Sequence, residues 1–433
     1  MVKYDTYVDI QTPYVGEIPS HWKMVQNKRV MHKEKRICES YNGQNIISLT
    51  LNGAIVRDLG AGGKMPATFD GYQHVYPGEL LMCLFDIDVT PRCVGRVNNE
   101  GLTSPAYSSF VLHDNANLGY YYYYYLMLDH TKELLHLAKN LRHSLTEEQI
   151  GQIKVPLPPI PEQEAIADYL DRETDRIDSI IAEAKDSIEE YKAWKASIIY
   201  EAVTKGLDPN VEMKISGVEW ISRIPAKWSV KRTKALFSYG KGLPITKENL
   251  VEEGIPVISY GQIHSKKNLG TGVIDELIRF VPEAYINSNP ESLVKKGDIL
   301  VADTSEDLAG CGNAVYVDSD MTLFAGYHTI ILKSNDVSDN KYIAYLMRTD
   351  AWRSQIRANV SGVKLFSISK RILNSTSVIL PSTEEQKEIT DYLDSKCQAI
   401  DEIIAEKDLL ILELEKYKKS LIFDVVTGKK RVC

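Results

Sequence analysis

The feature that most constrains the fold of this chain is an internal duplication. Residues 162–204 align without a gap onto residues 385–427 at an offset of 223, with 20 identities in 43 positions. A shorter echo precedes each copy, where Ile18-Pro19-Ser20-His21-Trp22 matches Ile224-Pro225-Ala226-Lys227-Trp228. Between these anchors the two halves agree only in outline. The sequence therefore predicts one scaffold that occurs twice and carries two diverged middle parts.

The duplicated segment has the pattern of a long amphipathic helix. In each copy, apolar residues recur at spacings of three and four or their sums, which favours an apolar stripe along one helix face. A helix of about 43 residues is roughly 60 Å long at 1.5 Å per residue. Prolines precede each copy, and a glycine suited to a helix end follows it. The stripe residues are Leu170, Ile177, Ile181, Ala184, Ile188, Tyr191 and Ile198, and then Leu393, Cys397, Ile400, Ile404, Ile411, Leu414 and Leu421.

The segments between the helices are typical of loop-rich mixed domains. Short runs such as 255–260 and 298–301 are rich in Val, Ile and Leu and end at glycine, asparagine or proline. Gly78-Glu79-Leu80-Leu81 resembles Gly297-Asp298-Ile299-Leu300, and Tyr122 to Met127 resembles Tyr342 to Met347. We interpret the tyrosine run as a packed core helix rather than as a base-stacking surface, and Trp22 and Trp228 as packing residues.

The predicted fold is α+β, with two mixed α/β domains separated by two long antiparallel helices in a coiled coil with pseudo-two-fold symmetry. The predicted boundaries are 1–158 for the first domain, 159–206 for the first helical region, 207–381 for the second domain and 382–433 for the second helical region.

Charge and composition limit the partners that the chain can have. The net charge is −8 at pH 7, but residues 162–206 and 383–431 together hold −9, which leaves the rest of the chain at +1. A neutral remainder can present a local positive surface to phosphates. The six cysteines show no zinc-ligand spacing, and no apolar run is long enough to span a membrane. We therefore expect reduced thiols, no metal site, no membrane partner and a cytoplasmic location.

A search for catalytic motifs indicates no catalytic residues. The Asn/Asp-Pro-Pro tripeptide of adenine methyltransferases does not occur, and Asn289-Pro290-Glu291 is its nearest approach. Gly60-Ala61-Gly62-Gly63-Lys64 lacks the leading glycine and the final Ser/Thr of a P-loop, because Asp58 and Met65 stand there. The histidines show no metal-ligand spacing.

At these residues the sequence resembles the specificity subunits of type I restriction-modification systems. In that family each recognition region begins with Ile-Pro-x-x-Trp and closes with Pro-x-x-x-Glu-Gln before a long helix. Here the closing elements are residues 158–163 and 381–386, and the second departs by lacking the double proline and by the spacing of its acidic residue. The resemblance covers essentially the whole chain.

The resemblance implies a non-catalytic subunit that recognises a bipartite sequence in double-stranded DNA. It also implies docking of two methyltransferase subunits and, in the full complex, of restriction subunits. S-adenosylmethionine, ATP and Mg would belong to those partners, and this chain would hold no cofactor.

Candidate DNA contacts are basic and amide side chains on projecting loops, because such groups bind base edges and phosphates. In the first domain they are Asn52, Arg57, Lys64, Arg92 and Arg96; in the second they are Lys241, Gln262, His264, Lys266, Lys267 and Lys364. The duplicated helix starts are the candidate docking surface for partner subunits, with Asp168, Tyr169, Asp391 and Tyr392.

Two other functions stay open from the residues alone. A helical rod could space two protein-binding modules without contacting DNA. A nuclease is less favoured because the chain has no Asp/Glu-plus-Lys nuclease constellation.

Overall fold

The computed structural model describes residues 3–10, 12, 15–61, 66–138, 143–334 and 340–432. The chain divides into two compact units. The first unit consists of residues 1–185 and 407–433, and the second of residues 186–406. Each long helix therefore contributes one part to each unit. No boundary at 158, 206 or 381 is tested by this division, so the domain boundaries stay a prediction.

The first unit contains two four-stranded sheets. One has the strand order β4-β11-β8-β9 and the other β6-β5-β10-β7, in which β5 and β10 are parallel. The unit also contains the two-stranded pairs β1-β2 and β3-β12. The strands are β1 Tyr7–Asp9, β2 Glu17–Pro19, β3 Lys23–Gln26, β4 Met31–Glu34, β5 Ile46–Thr50, β6 Gly53–Val56, β7 Gln73–Val75, β8 Leu80–Cys83, β9 Val94–Arg96, β10 Gly101–Thr103, β11 Tyr107–Leu112 and β12 Lys154–Leu157; the helices are α1 Leu118–Thr131, α2 Glu147–Gln152 and the first part of α3 Ile160–Lys205, with 3-10 turns at Asn27–Arg29 and Glu133–Leu137.

The second unit repeats this topology with different loops. Its sheets have the orders β16-β24-β20-β22 and β18-β17-β23-β19, and β17 and β23 form the parallel pair. The strands are β13 Met213–Val218, β14 Ile221–Pro225, β15 Ser229–Arg232, β16 Phe237–Lys241, β17 Ile255–Ile258, β18 Arg279–Val281, β19 Leu293–Val294, β20 Ile299–Ala302, β21 Thr304–Ser305, β22 Ala314–Tyr316, β23 Leu323–Ala325, β24 Thr329–Ser334, β25 Phe366–Ser367 and β26 Ser377–Leu380. The helices are α4 Thr233–Leu236, α5 Tyr260–Ile263, α6 Tyr285–Ser288, α7 Asn340–Arg348, α8 Asp350–Arg357, α9 Lys370–Ser375 and α10 Thr383–Val426, with 3-10 turns at Lys247–Asn249, Asp275–Leu277 and Pro290–Ser292.

The two units differ most between the first two strands of the parallel-pair sheet. In the first unit only Leu51 and Asn52 separate β5 from β6. In the second unit, residues 259–278 separate β17 from β18 and include α5. This insertion accounts for the greater length of the second repeat, and it enlarges one loop region without changing the sheet.

The two long helices are present where the duplication predicts them. α3 has 46 residues and α10 has 44. Gly206 and Gly428 follow them with φ values of 78° and 74°, the left-handed conformation that favours glycine. The prediction of helices closed by glycine is confirmed. Pro161 lies in the first turn of α3, where a missing N–H costs no helical hydrogen bond.

Repeat-related ion pairs join the helix parts inside each unit. In the first unit Lys418 contacts Asp178 at 2.5 Å, and in the second Lys195 contacts Asp401 at 2.5 Å. The two pairs are equivalent under the 223-residue offset, with the lysine and the aspartate on opposite helices in both cases. The pair in the second unit is the more buried, because the Lys195 side chain is only 9% exposed.

The tyrosine run forms part of the core, as predicted. α1 buries Tyr120, Tyr121, Tyr123, Tyr124 and Tyr125 completely or nearly so. The five described cysteines are unbonded and buried, and Cys433 lies outside the described residues.

Candidate nucleic-acid interface

A cluster of aromatic side chains fixes the recognition part of the first unit to the ends of both helices. The Trp22 indole donates a hydrogen bond to Glu162 at the start of α3, with a distance of 2.9 Å. The Tyr120 hydroxyl donates to the carbonyl oxygen of Val426 at the end of α10, at 3.0 Å. The two rings meet edge-on with centroids 6.3 Å apart. Buried indole and hydroxyl groups require such partners, so these bonds set the orientation of the recognition part on the helices.

The second unit repeats this cluster with its own residues. Trp228 donates to Glu385 at 3.0 Å, and the Tyr342 hydroxyl donates to the carbonyl oxygen of Val203 at 3.0 Å. Their rings are also edge-on at 6.3 Å. The interpretation of the two tryptophans as packing residues is therefore confirmed.

These contacts correct the alignment of the tyrosine helix. The sequence comparison paired Tyr122 with Tyr342 and Tyr125 with Tyr345. The hydrogen bonds instead make Tyr120 equivalent to Tyr342, a shift of two residues. The alignment of the two halves was ambiguous here because six consecutive tyrosines match the second half in several registers of similar quality.

A carboxylate in each duplicated helix joins a second tyrosine to a cation. In the first unit Asp171 accepts from the Tyr123 hydroxyl at 2.7 Å and from both terminal nitrogens of Arg96 at 2.6 and 3.0 Å. Burial by itself raises the pKa of Asp171, but the hydrogen bonds from Arg96 and Tyr123 outweigh it and lower that pKa. In the second unit Tyr345 and Lys341 donate to Asp394 in the same way, at 2.7 and 2.5 Å.

The Arg96 guanidinium also stacks over the Tyr122 ring at 4.5 Å. The Arg96 guanidinium is thus held by Asp171 and by the Tyr122 ring, which gives Arg96 a clear structural role. Its proposed contact with DNA stays a prediction.

The other predicted residues of the first unit lie on two neighbouring segments. Asn52 is exposed in the two-residue turn between β5 and β6, and Arg57 follows β6. Arg92 lies in the loop between β8 and β9, where it donates to the Tyr122 hydroxyl at 3.2 Å. Lys64 lies outside the described residues.

Asn52, Arg92 and Arg96 meet at one open cleft of about 540 Å³, here called the basic cleft. Its walls also include His130 of α1, Lys185 of α3, and Lys418 and Lys419 of α10, all within the first unit. Burial, followed by the positive charges of Arg92, Lys419 and Lys418, lowers the pKa of His130 to about 4. The imidazole is therefore neutral at neutral pH, and its buried Nδ1 has no hydrogen-bond partner.

The predicted residues of the second unit group around α5. Gln262 accepts from the Ser259 backbone N–H at 3.2 Å and caps the helix start. His264 lies within hydrogen-bonding distance of the Thr304 carbonyl oxygen at 2.8 Å and of the Asn313 side-chain amide at 3.0 Å. Both ring nitrogens of His264 are thus engaged inside the protein, and this arrangement ties the α5 loop to the neighbouring strand.

The remaining basic candidates of this unit are exposed. Lys266 and Lys267 follow α5, and Lys267 contacts Glu276 at 3.6 Å. Lys241 ends β16, and Lys364 lies in the turn before β25 next to Val363, whose side chain is 95% exposed. The structure therefore brings Gln262, His264, Lys266 and Lys267 together in one loop, whereas Lys241 and Lys364 belong to other segments.

The predicted docking residues differ between the two repeats. Asp168 and Asp391 are both exposed. The Tyr169 hydroxyl accepts from Lys430 at 2.6 Å, and the Lys430 ammonium lies 4.9 Å from the Tyr169 ring centre. Tyr392 instead lines an open cavity of about 590 Å³ beside the segment that follows α3. The chain itself thus covers one of the two tyrosines.

Sequence reasoning did not identify His130, Lys185, Lys418 or Lys419. They lie on segments that periodicity assigns to a core helix or to the long helices, so only the folded chain brings them together. Within the described residues, no three His, Cys, Asp or Glu side chains are arranged to hold a metal ion. No described helix has the length and apolarity needed to cross a membrane.

Comparison with known proteins assigns the fold and the family. Residues 93–190 and 225–412 match the family model for the type I restriction modification DNA specificity domain. A specificity subunit of the type I restriction enzyme MjaVIII from Methanocaldococcus jannaschii is 28% identical over 284 residues, 65% of this chain and 63% of that protein. A second putative specificity subunit from the same organism, MjaX, is also 28% identical, over 67% of this chain and 62% of that protein. The matches therefore span less than two thirds of the length of these relatives.

Solved structures share the fold at low sequence identity. A chain from a structural study of assembly and conformational transition of the type I R-M system has a TM-score of 0.70 at 15% identity, covering 95% of this chain and 99% of that one. The HsdS subunit from Thermoanaerobacter tengcongensis has a TM-score of 0.53 at 14% identity, covering 95% and 98%. The family model covers more than half of the chain, and the chain belongs to the family of type I restriction modification DNA specificity domains.

Proposed function

We propose that this chain is a non-catalytic DNA specificity subunit that reads a bipartite target in double-stranded DNA. The observation that carries the proposal is the repetition of one sheet topology on duplicated helices, while the loops of the two units differ. A shared scaffold with different loops suits two half-sites of different sequence, because base readout depends on the side chains that enter the groove.

The finer architecture belongs to the same proposal. Two target-recognition domains would be separated by α3 and α10, paired antiparallel as a coiled coil. The repeat-related ion pairs Lys418–Asp178 and Lys195–Asp401 support this pairing, since each joins the two helices within its own unit. The helices would then act as the spacer of the two half-sites.

The DNA contacts would come from loops of both units. Asn52, Arg57, Lys64 and Arg92 are the candidates in the first, and Arg96 would act mainly by holding the recognition part on α3. Because both ring nitrogens of His264 are engaged within the protein, we expect Gln262, Lys266 and Lys267 to contribute more than His264 to that loop's contacts. Lys241 and Lys364 complete the set.

The chemistry would be performed by partner subunits. Two methyltransferase subunits would bind S-adenosylmethionine and dock on the duplicated helix starts, at Asp168 and Tyr169 and at Asp391 and Tyr392. Restriction subunits, with ATP and Mg, would join them in the full complex. The chain itself would hold no cofactor and would neither methylate nor cut DNA.

Selection from a randomised duplex pool tests this function. The full chain, co-expressed with its methyltransferase subunits, should enrich two short motifs at a fixed spacing. A pool that stays random would favour a scaffold that spaces protein modules. Methyl transfer onto a specific duplex by the isolated chain would contradict the non-catalytic role.

A further inference from the structure

We propose that the basic cleft of the first unit binds the phosphate backbone of the DNA, with lysines of both long helices as ligands. This inference rests on the proposed function and adds residues outside the recognition loops. It makes α3 and α10 part of the DNA-binding surface next to the first recognition region, and not only a spacer.

Cations from three separate segments converge on this cleft. Arg92 reaches it from the loop between β8 and β9, Lys185 from α3, and Lys418 and Lys419 from α10. Lys185 and Lys419 are exposed, so their ammonium groups are available to an anion. Asn52 lies at the same cleft, and an amide side chain beside cations is a common combination at phosphate and base edges.

The carboxylates of the cleft do not cancel this charge. Asp178 is paired with Lys418, and Arg96 is paired with Asp171. Outside these pairs the cleft contains Arg92, Lys185 and Lys419 against Asp175 and Glu415. One positive charge remains in excess, in a concave site where several donors face the same volume.

His130 supports the same reading of the cleft. It lies among Arg92, Lys419 and Lys418, and its own burial, followed by the charges of these three residues, lowers its pKa to about 4. Asp129 acts in the opposite direction. The three cations therefore line one cleft with His130, and together they would attract a phosphate group.

Among the described residues of the second unit, two of the lysines of the basic cleft are not repeated. Because Tyr342 corresponds to Tyr120, Arg348 of α7 corresponds to Leu126 of α1. The Arg348 side chain packs against Gly270, and its carbon atoms lie about 3 Å from the place that a β-carbon on Gly270 would take. Gly270 belongs to the insertion that the first unit lacks. By the 223-residue offset, Ala196 and Asp408 stand where Lys419 and Lys185 stand. The extra phosphate contacts should thus occur at only one of the two half-sites.

The salt dependence of DNA binding tests the proposal. The complex of the full chain with its methyltransferase subunits is titrated with the selected duplex and with a scrambled duplex of equal length, by fluorescence anisotropy over a range of salt concentrations. Each phosphate contact contributes about 0.9 to the slope of log affinity against log salt concentration. The double variant Lys185→Gln/Lys419→Gln should therefore lose about 1.8 of the slope, equally on both duplexes.

Lys416→Gln is the matched control, because Lys416 lies on α10 one turn before Lys419 and outside the cleft. Its slope should equal that of the wild type. An unchanged slope in the double variant would overturn the proposal. Loss of methyltransferase subunits from the complex with an unchanged slope would also overturn it and identify the cleft as a protein-docking site.

Two further measurements separate related outcomes. Saturable binding of inorganic phosphate by calorimetry, lost in the double variant while the DNA slope is unchanged, would show a small-anion site and overturn the DNA assignment. If the wild type binds the selected and scrambled duplexes equally, the proposed specificity function fails. The comparison of slopes on the scrambled duplex still tests the cleft in that case.

Discussion

His130 should make the first unit less stable as the pH falls. Its pKa is about 4 in the folded chain against 6.5 for an unperturbed histidine, because burial and the charges of Arg92, Lys419 and Lys418 disfavour the protonated ring. The folded value is the lower one, so protons bind preferentially to the unfolded chain between these two values. Stability from the neutral ring is complete above about pH 6.5 and is lost as the pH falls toward about 4.

The size of this loss follows from the two pKa values. A pKa difference of about 2.5 corresponds to about 3 kcal/mol, of which about 2 kcal/mol should be lost at about pH 5. His130→Gln removes the titrating ring. The difference in the free energy of unfolding between wild type and variant should therefore change by about 2 kcal/mol between about pH 8 and about pH 5, in the direction that favours the variant at low pH.

Urea unfolding at both pH values gives this difference, and NMR titration of labelled histidines gives the pKa directly. The resonance that disappears in His130→Gln assigns the signal. His136→Gln is the control, because the His136 side chain is 75% exposed near the end of the same segment. A titration midpoint near 6.5 for His130 would refute the reasoning. Equal pH dependence of the free energy of unfolding in the wild type and in His130→Gln would refute it as well.

Three further predictions concern the stability of the scaffold. Gly428→Ala should lower the free energy of unfolding by about 2 kcal/mol or more, and Gly206→Ala by clearly less. Both glycines have a positive φ, but only at Gly428 would a β-carbon lie 2.4 Å from a proline ring carbon. Equal melting temperatures of the two variants would contradict this. Lys195→Met should lower the free energy of unfolding by about 1–3 kcal/mol and Lys418→Met by less than about 1 kcal/mol. The reason is that the Lys195 side chain is 9% exposed and that of Lys418 is 22% exposed. Chemical denaturation measures both values. Burial raises the pKa of Asp298, so the stability of the wild type falls as the pH rises through the folded-state value. Asp298→Asn, which cannot ionise, should therefore be more stable relative to the wild type at neutral pH than in acid, as measured by urea unfolding at both pH values.

The helices and their ends could be predicted because their signals are local or repeated. Apolar periodicity, a proline before each helix and a glycine after it all act within a few residues, and the duplication presents them twice. Gly206 and Gly428 are at helix ends in the fold as the sequence indicates. The order of the strands could not be predicted, since the parallel pairing of β5 with β10 joins segments that are separated along the chain by four other strands.

The candidate site could be predicted only in part for the same reason. Asn52 and Arg92 were identified by residue type and loop position, and the fold brings them to one cleft. His130 belongs to an apolar helix, and Lys418 and Lys419 belong to a helix whose net charge is negative, so neither composition nor periodicity distinguishes them. Their proximity depends on the packing of α1 and α10 within the first unit.

The duplicated helix starts should bind partner subunits with unequal sensitivity to mutation. Asp168→Lys and Asp391→Lys should each weaken assembly with methyltransferase subunits, because each reverses an exposed charge on a repeated surface. Tyr169 is covered by Lys430, whereas Tyr392 is 37% exposed beside an open cavity. A buried aromatic anchor contributes most when a partner fills the space around it.

Tyr392→Ala should therefore lower the affinity for a methyltransferase subunit by about tenfold or more, the range of about 1.4–2 kcal/mol expected for an interface anchor. Tyr169→Ala should change this affinity less, since the Lys430 ammonium already lies over the Tyr169 ring. Native mass spectrometry counts the bound subunits, and circular dichroism checks that each variant is folded. Equal losses for the two tyrosine variants would show that the covering lysine is displaced on docking, and unchanged stoichiometry in both aspartate variants would place the docking surface elsewhere on the chain.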